Sequence, residues 1–371
     1  SNSSAASDVY KRQVLLVFSN IFLQGCFSYR DINKLLFATA VIVDVDNSNN
    51  PVLFVEAYKG VREESNQKDR LVFKGTGKTL LDALKNINLS SSNEVNYEQT
   101  KAIIFTEKAA NIGLEKFIDI FEREQQFIMR ANFCIFEGTG DELLNIKIPD
   151  EKFLGIFVYD LIRNINTSSS AIKLTLNELL NKRLMKDRTA VASFIQFNRR
   201  ETENKIFLNG GAIITKDKYV SRLSAEETKG YNFLVNKVSK GVFQISNPQD
   251  KNKLISLEIL SSKTRTKIEY VNGSIHLTKK IKTICTIGES QGRFYGNKNE
   301  IDKLEALAAE EINKLTSSVF SKFQKNNLDI FDIENDVYIR YPKLNIENII
   351  LNTELKTEIE VEIRNSADII S

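Results

Sequence analysis

The segment Gly75-Thr76-Gly77-Lys78-Thr79 has the residue types of a phosphate-binding site. A glycine-rich turn followed by lysine and threonine is typical of a P-loop, in which backbone N–H groups and the lysine bind nucleotide phosphates. A P-loop also has a glycine at the position that Val72 occupies here. Because a β-branched residue resists the positive φ of such a loop, we predict a strand, a glycine turn and a helix that begins near Thr79, with no nucleotide site.

Other side chains that support catalysis or bind metals are sparse. His276 is the single histidine, and the three cysteines are far apart and lack metal-ligand spacing: Cys26, Cys134 and Cys285. The HExxH and CxxC motifs are absent, and we expect neither a zinc site nor a nucleophile elbow. The basic doublets Lys279-Lys280 and Arg199-Arg200 are interpreted as solvated surface, and contact with anionic lipid headgroups is the alternative for a lipid-anchored protein. We therefore predict no catalytic residue, no cofactor site and no metal site.

The composition is that of an ordinary folded protein, with 42% hydrophobic and 27% charged residues. A chain of 371 residues is long enough for about two or three domains with their own cores. The 51 basic and 48 acidic residues leave a net charge of only +3, so we expect no nucleic-acid partner. The few cysteines also exclude a fold that depends on disulfides.

The N-terminal region predicts a lipid anchor. Two basic residues precede an apolar run of about ten residues, which is too short to span a bilayer but has the length of a signal-peptide core. The run ends at Leu23-Gln24-Gly25-Cys26, which matches a bacterial lipobox. We predict that residues 1–25 are a signal peptide and that the sulfur of Cys26 is lipidated. The alternative is a buried strand with an incidental cysteine. Residues 1–13 resemble translated adapter sequence, so part of this leader is expected to be non-native.

Residues 27–190 alternate between strand and helix patterns, which predicts an N-terminal α/β region with a division near residue 150. An apolar run over residues 35–46 predicts a strand, and the segment that contains Phe117 and Phe121 has one apolar face at helical spacing. Cys134 lies in a predicted strand and is expected to be part of the core.

Residues 205–371 have a different pattern and predict a second domain. Asn272-Gly273 is a strong hairpin signal that places Tyr270 opposite Ile275 and His276 opposite Glu269. A long apolar stripe predicts a helix over about residues 300–325, and strict alternation predicts a final strand over about residues 354–364. The predicted fold class is α+β and multidomain: N-terminal α/β layers, followed by a largely antiparallel sheet packed with a long helix.

These segments, taken in order, resemble the Ger(x)C family of spore germination lipoproteins from endospore-forming bacteria. The resemblance begins at Gly25-Cys26-Phe27, continues through Arg30-Asp31-Ile32-Asn33, and includes the glycine turn at residues 75–79. It resumes over residues 208–243, 263–283 and 325–331. Family members usually have Trp after the cysteine, where this chain has Phe27, and residues 150–200 match the family poorly.

The resemblance implies a non-catalytic, membrane-anchored lipoprotein subunit of a spore nutrient germinant receptor. Cys26 matches the lipidated cysteine of the family, and the protein would lie on the outer face of the spore inner membrane. Its partners would be the A-type subunit and the transporter-like B-type membrane subunit. Together they would convert nutrient binding into germination, and the glycine turn would be a structural element.

A lipid-anchored extracytoplasmic solute-binding protein is the alternative function. The chain lacks Trp and has no obvious pair of lobes, which weighs against a protein that captures a nutrient by itself. A lipid-anchored hydrolase is a weaker alternative, because a triad or a zinc site generally uses histidine, and His276, the single histidine, is expected at a surface position of the hairpin.

Overall fold

The computed structural model describes residues 34–60, 69–146, 151–164, 169–198, 205–344 and 346–364, together with residues 13 and 148. Over these residues the chain forms two β-sheets, and helices pack against both. The predicted fold class, a multidomain α+β protein, is confirmed.

The first sheet is parallel at its centre and antiparallel at both edges. Within the described residues its strands are β1 (Leu35–Val45), β2 (Pro51–Lys59), β3 (Leu71–Thr76), β4 (Glu94–Asn96), β5 (Ala102–Thr106), β6 (Asn132–Phe136), β7 (Thr189–Asn198), β8 (Lys205–Thr215) and β9 (Lys218–Leu223). Their order is β3-β2-β1-β5-β6-β7-β8-β9, and β4 pairs with β1. The pairs β1–β5, β5–β6 and β6–β7 are parallel, so these strands are buried and nearly continuously apolar.

Helices cover both faces of the first sheet. The helices of this half are α1 (Leu80–Leu89), α2 (Glu107–Ile112), α3 (Asp119–Arg123), α4 (Gly140–Asn145), α5 (Leu154–Arg163) and α6 (Leu176–Arg183). Side chains of α1, α2, α3 and α6 pack with Val41 and Phe105 in one core, whereas those of α4 and α5 pack with Ile42 and Cys134 in another. The prediction that Cys134 is a core residue is confirmed.

The second sheet has the order β10-β11-β12-β13 and packs against a long helix. Its strands are β10 (Gly241–Asn247), β11 (Asp250–Val271), β12 (Ser274–Ser290) and β13 (Thr353–Ile363), and the helices are α7 (Ala225–Leu234), α8 (Lys298–Lys325) and α9 (Ile333–Arg340). The hairpin register is confirmed, because Tyr270 pairs with Ile275 and Glu269 with His276. Leu304, Ile312 and five other side chains of α8 are buried, as the apolar stripe predicts.

The final strand differs in one respect from the expected antiparallel sheet. β13 pairs with β12 in parallel, with Ile281 beside Ile359, while β10–β11 and β11–β12 are antiparallel. A parallel neighbour needs a long connection, and α8 and α9 supply it. Val361 and Ile363 are buried on the inner face, and Glu360 is exposed on the outer face.

The first sheet continues beyond the predicted start of the second domain at residue 205. β8 pairs with β7 and β9 pairs with β8, so the sheet ends at Leu223. Side chains from both halves share one core, in which Ile172 and Val191 pack with Tyr231 and Phe323. The division between 27–190 and 205–371 stays a prediction. Among the described residues, no helix has the length and apolar character needed to cross a membrane.

Candidate functional site

The glycine turn at residues 75–79 joins β3 to α1 and is shaped by close packing. A Cβ on Gly75 would lie 2.0 Å from the carbonyl oxygen of Ala83, and one on Gly77 would lie 2.5 Å from the Cβ of Asp82. Thr79 is the N-cap of α1, and its hydroxyl accepts the N–H of Asp82 at 3.2 Å. β3 is moreover an antiparallel edge strand. The glycines therefore let the helix approach the strand, and the turn has no phosphate cradle.

The carboxyl ends of the parallel strands are closed by the chain's own polar groups. Open α/β sheets usually bind ligands at this edge. Here Asp44 Oδ2 accepts the N–H of Gly140 at 2.8 Å, at the start of α4, and Asp44 Oδ1 accepts the hydroxyl of Thr106 at 2.7 Å. The Asp44 carboxylate thus occupies the helix N-terminus that an anionic ligand would otherwise bind.

A second buried carboxylate holds the start of α5. Glu56 accepts the backbone N–H groups of Leu154 at 2.8 Å and Gly155 at 3.0 Å. The hydroxyl of Thr39 donates to it at 2.5 Å, and Arg70 Nε donates at 2.6 Å. Glu56 is fully buried, so these four donors replace the water that its charge has lost.

One pattern in the sequence was missed when no nucleophile elbow was expected. Residues 288–292 read Gly-Glu-Ser-Gln-Gly and match GxSxG, the pattern of a nucleophile elbow. An elbow needs a sharp turn from a strand into a helix, but Ser290 is the last residue of β12 and α8 begins only at Lys298. Ser290 Oγ donates to the carbonyl of Gly292 at 3.2 Å. His276 lies near the other end of β12, about 45 Å away at about 3.3 Å per residue, so the pattern forms no triad.

The basic doublet Lys279-Lys280 is split by the alternation of β12, and its interpretation as solvated surface is wrong for one member. Lys280 is exposed and pairs with Glu358 at 2.7 Å. Lys279 points to the opposite face, is only 4% exposed, and donates to the hydroxyl of Thr266 at 2.9 Å. His276 lies on the outer face, where its Nδ1 is 3.3 Å from Glu354.

Lys279 belongs to a polar junction between the two halves of the molecule. We define the junction by its charged members and one tyrosine: Lys182, Asp187, Tyr231, Lys279, Asp329 and Asp332. Lys182, on α6, forms an ion pair with Asp332, at the start of α9. Asp329 accepts the N–H groups of Phe331 at 2.9 Å and Glu334 at 2.7 Å.

Asp187 is the least satisfied member of the junction. Its side chain is 7% exposed, and neither carboxylate oxygen has a hydrogen-bond partner among the described residues. Burial raises the pKa of the Asp187 carboxyl to about 7; Asp329 and Asp332 add to this, and Lys182 opposes it. Burial also raises the pKa of Asp329 to about 6, against the N–H groups that stabilise its charged form.

Burial in the junction also shifts the pKa values of Lys279 and Tyr231. Burial lowers the pKa of Lys279, although Asp336, Asp332 and Asp329 oppose the shift. Burial and the three nearby aspartates raise the pKa of Tyr231 far above its ordinary value. Among the described residues, no group of three or more His, Cys, Asp or Glu side chains could hold a metal ion. The junction is thus a place where a proton is gained or lost near neutral pH.

An open groove of about 840 Å³ lies on the second sheet. Its lining includes Lys263 and Arg265 on β11 and the ion pairs Lys280–Glu358 and Lys282–Glu360, both at 2.7 Å. The two ion pairs balance part of the basic charge, and the lining residues include no set of catalytic groups.

The predicted lipidation residue, Cys26, lies outside the described residues, as do Gly25, Phe27 and residues 30–33. The prediction for Cys26 therefore stays a prediction. Of the remaining cysteines, Cys134 and Cys285 are both fully buried, and burial raises the pKa of each thiol to about 12. Neither has the exposure or the thiolate character of a reactive cysteine.

Comparison with protein families gives two matches that together span most of the chain. A model described as "Spore germination protein N-terminal domain" matches residues 28–196. A second, described as "Spore germination B3/GerAC like, C-terminal", matches residues 209–367. The first match ends within β7, at residue 196, and the second begins in the middle of β8, at residue 209.

Individual relatives also match this chain over most of its length and most of their own. Spore germination protein GerQC of Bacillus cereus is 22% identical over 327 residues, which cover 86% of this chain and 88% of the relative. Spore germination protein B3 of Bacillus subtilis is 23% identical over 373 residues, covering 95% and 96%. The crystal structure of the GerBC protein has a TM-score of 0.58 at 18% identity and covers 90% of this chain and 100% of that one. This last likeness shows the fold.

The glycine turn gives a prediction that separates packing from nucleotide binding. Gly75→Ala should destabilise the protein by about 1–3 kcal/mol, because its Cβ would collide with the backbone of α1. Lys78 is exposed, so Lys78→Ala should change the free energy of unfolding by less than about 0.5 kcal/mol. Urea denaturation measures both, and calorimetry should detect no ATP binding to the wild type. Saturable ATP binding that is lost in Lys78→Ala would contradict this interpretation.

The junction gives a prediction about pH. The folded-state pKa of Asp187 is above its unfolded value of 3.8, so the folded protein keeps a proton that the unfolded chain releases. Stability from this group is present below about pH 4 and is lost as the pH rises to about 7.

We expect the urea midpoint of the wild type to fall more between pH 5 and pH 8 than that of Asp187→Asn, which cannot ionise. Asp302 is exposed on α8, and Asp302→Asn is the matched control that should keep the wild-type pH dependence. Equal pH dependence in the wild type and Asp187→Asn would show that Asp187 is not the titrating group.

Proposed function

The chain belongs to the Ger(x)C family of spore germination proteins, and we propose that it is the C-type, lipid-anchored subunit of a nutrient germinant receptor. The observation that supports this most directly is the match of both family models, in order, over residues 28–196 and 209–367. The relatives are covered almost from end to end, so the likeness involves the whole protein rather than a shared module.

We propose a non-catalytic role in assembly and signal transmission. An α/β protein could bind a small ligand at the carboxyl ends of its parallel strands or at a glycine-rich turn. Here Asp44 occupies the first place, and close packing of the turn at residues 75–79 against α1 closes the second. His276 has Glu354 as its neighbour and lies far from Ser290. These features favour a protein that acts through contacts with other subunits over one that captures or converts a nutrient itself.

The proposed attachment is a lipid on Cys26, on the outer face of the spore inner membrane. The lipobox residues Leu23-Gln24-Gly25 precede the cysteine in the sequence. A diacylglyceryl group supplies two acyl chains, which is enough for stable anchoring. The proposed partners are the A-type and B-type membrane subunits, on which nutrient binding would act.

Spores that lack the protein should fail to germinate in response to the nutrient of their receptor, and the wild-type gene should restore the response. Affinity purification of the wild-type protein from spore membranes should recover the two membrane subunits. The solute-binding alternative predicts something different, namely micromolar binding of a nutrient to the isolated protein by calorimetry. Such binding, together with a normal nutrient response in the deletion spores, would refute the receptor-subunit proposal.

The anchor is tested by substitution of the cysteine. Cys26→Ala should move the protein from the membrane fraction to the soluble fraction when the other subunits are absent, because the lipid on this residue is the proposed attachment. Cys134→Ala is the control, since Cys134 is buried in β6 and should leave membrane attachment unchanged. A Cys26→Ala protein that still sediments with membranes would refute the anchor.

A further inference from the structure

Three neighbouring segments of the chain each expose large apolar side chains. We call this surface the apolar patch and define it by Leu184, Tyr270, Val271, Tyr338 and Ile339. Leu184 and Ile339 are 86% and 68% exposed, which is unusual for large aliphatic side chains. Several exposed large apolar side chains on neighbouring segments mark a candidate contact surface.

Two ring contacts establish that the segments are neighbours. The Nζ of Lys186, two residues after Leu184, lies 5.4 Å from the centre of the Tyr338 ring on α9. The ring of Tyr270, at the tip of the β11–β12 hairpin, is 6.4 Å from that of Tyr341, which directly follows α9. The patch is therefore built from the end of α6, the hairpin tip and the exposed side of α9.

Basic side chains border the apolar patch. Lys186, Arg340 and Lys343 are exposed beside it, and the nearby Glu269 is paired with Lys267 at 2.8 Å. Tyrosines and aliphatic side chains bordered by lysine and arginine are the composition that proteins present to the headgroup region of a bilayer. Anionic lipids attract such cations by about 1 kcal/mol each.

The patch lies on the side of the molecule from which the chain leads to Cys26. The pairs β1–β5, β5–β6 and β6–β7 are all parallel, so β1 and β7 point in the same direction. Both strands therefore begin at the same edge of the first sheet, the one where the parallel strands start. Leu35 begins β1 at that edge, and Leu184 and Lys186 lie just before β7 begins at Thr189. Only residues 27–34 separate Cys26 from β1, and an extended chain of this length spans about 30 Å at most. A lipid on Cys26 would therefore keep this edge close to the bilayer.

We propose that the apolar patch rests on the lipid bilayer, with Tyr338 and Ile339 among the headgroups and Lys186, Arg340 and Lys343 against lipid phosphates. The inference rests on the proposed anchor at Cys26. The anchor fixes one point of the protein to the membrane, and the patch fixes its orientation by adding a second contact from the C-terminal half.

The absence of Trp from the sequence allows a direct test. Tyr338→Trp places a single tryptophan, which can be excited selectively, in the patch of the full-length lipidated protein. Tyr295→Trp is the matched control, because Tyr295 is similarly exposed, at 57% against 51%, but follows the far end of β12. The 17 residues of β12 separate these two ends by about 55 Å.

Both variants are reconstituted in vesicles of equimolar phosphatidylcholine and phosphatidylglycerol, with and without brominated acyl chains. Bromine should quench the emission of Tyr338→Trp several-fold more than that of Tyr295→Trp, and the emission of Tyr338→Trp should move to shorter wavelength. Addition of Ile339→Glu and Leu184→Glu to the Tyr338→Trp protein should remove most of the quenching while the lipid keeps the protein on the vesicles.

The possible failures are distinguishable. If both variants float with the vesicles and are quenched equally or not at all, the bilayer contact is refuted and the anchor stands. If the lipidated protein does not float, the anchor itself is refuted and the patch proposal falls with it. If bromine leaves Tyr338→Trp unquenched, and its emission moves to shorter wavelength only when the membrane subunits are added to the vesicles, the patch is a protein-docking surface and the bilayer proposal is wrong.

Discussion

The buried carboxylate of Glu56 is the interaction on which the packing of the first half depends. Removing a charged carboxylate from water costs several kcal/mol unless other charges and hydrogen bonds replace the solvent. Glu56 obtains that replacement only when β1, Arg70 and the start of α5 are all in place. The position of α5 is fixed further at Gly155, where a Cβ would lie 2.1 Å from the carbonyl oxygen of Thr39. Other packings of α5 would leave the Glu56 carboxylate buried without these donors, and they are therefore unfavourable.

The same principle explains why the first half resembles a ligand-binding α/β protein without offering the usual site. Asp44 occupies the N-terminus of α4, and Glu56 occupies the N-terminus of α5. In each case an internal carboxylate satisfies the backbone N–H groups that, in an enzyme of this architecture, would face a phosphate. The helices are thereby held by the chain itself, and what remains available for function is the outer surface and the junction between the halves.

Local patterns in the sequence predicted much of the fold. The Asn272-Gly273 turn fixed the hairpin register, because a two-residue loop allows a single pairing, and the alternation of β13 identified its buried face. The parallel pairing of β13 with β12 was not predictable from alternation, which is the same for either direction. The extension of the first sheet through β8 and β9 also escaped, since strand patterns do not identify their partners.

The polar sites were the least accessible from the sequence. Lys182, Asp187 and Asp329 are unremarkable charged residues along the chain, and only tertiary structure brings them to one buried junction. Lys279 and Lys280 look equivalent, yet strand geometry buries one and exposes the other. Conversely, the GxSxG pattern at residues 288–292 looks catalytic and is an ordinary strand end. Burial, which determines the chemistry of a charged side chain, is a property of the fold rather than of the pattern.

The junction also connects the surfaces that a receptor subunit would use. The ion pair between Lys182 and Asp332 ties α6 of the first half to the start of α9, and α9 contributes Tyr338 and Ile339 to the apolar patch. A shift of the patch relative to the first sheet would therefore break that pair. Ionisation of Asp187 would add negative charge close to Asp329 and Asp332, with Lys182 as the opposing cation, at the contact between the halves. The packing of α9 and the charge state of Asp187 thus bear on the same contact between the halves.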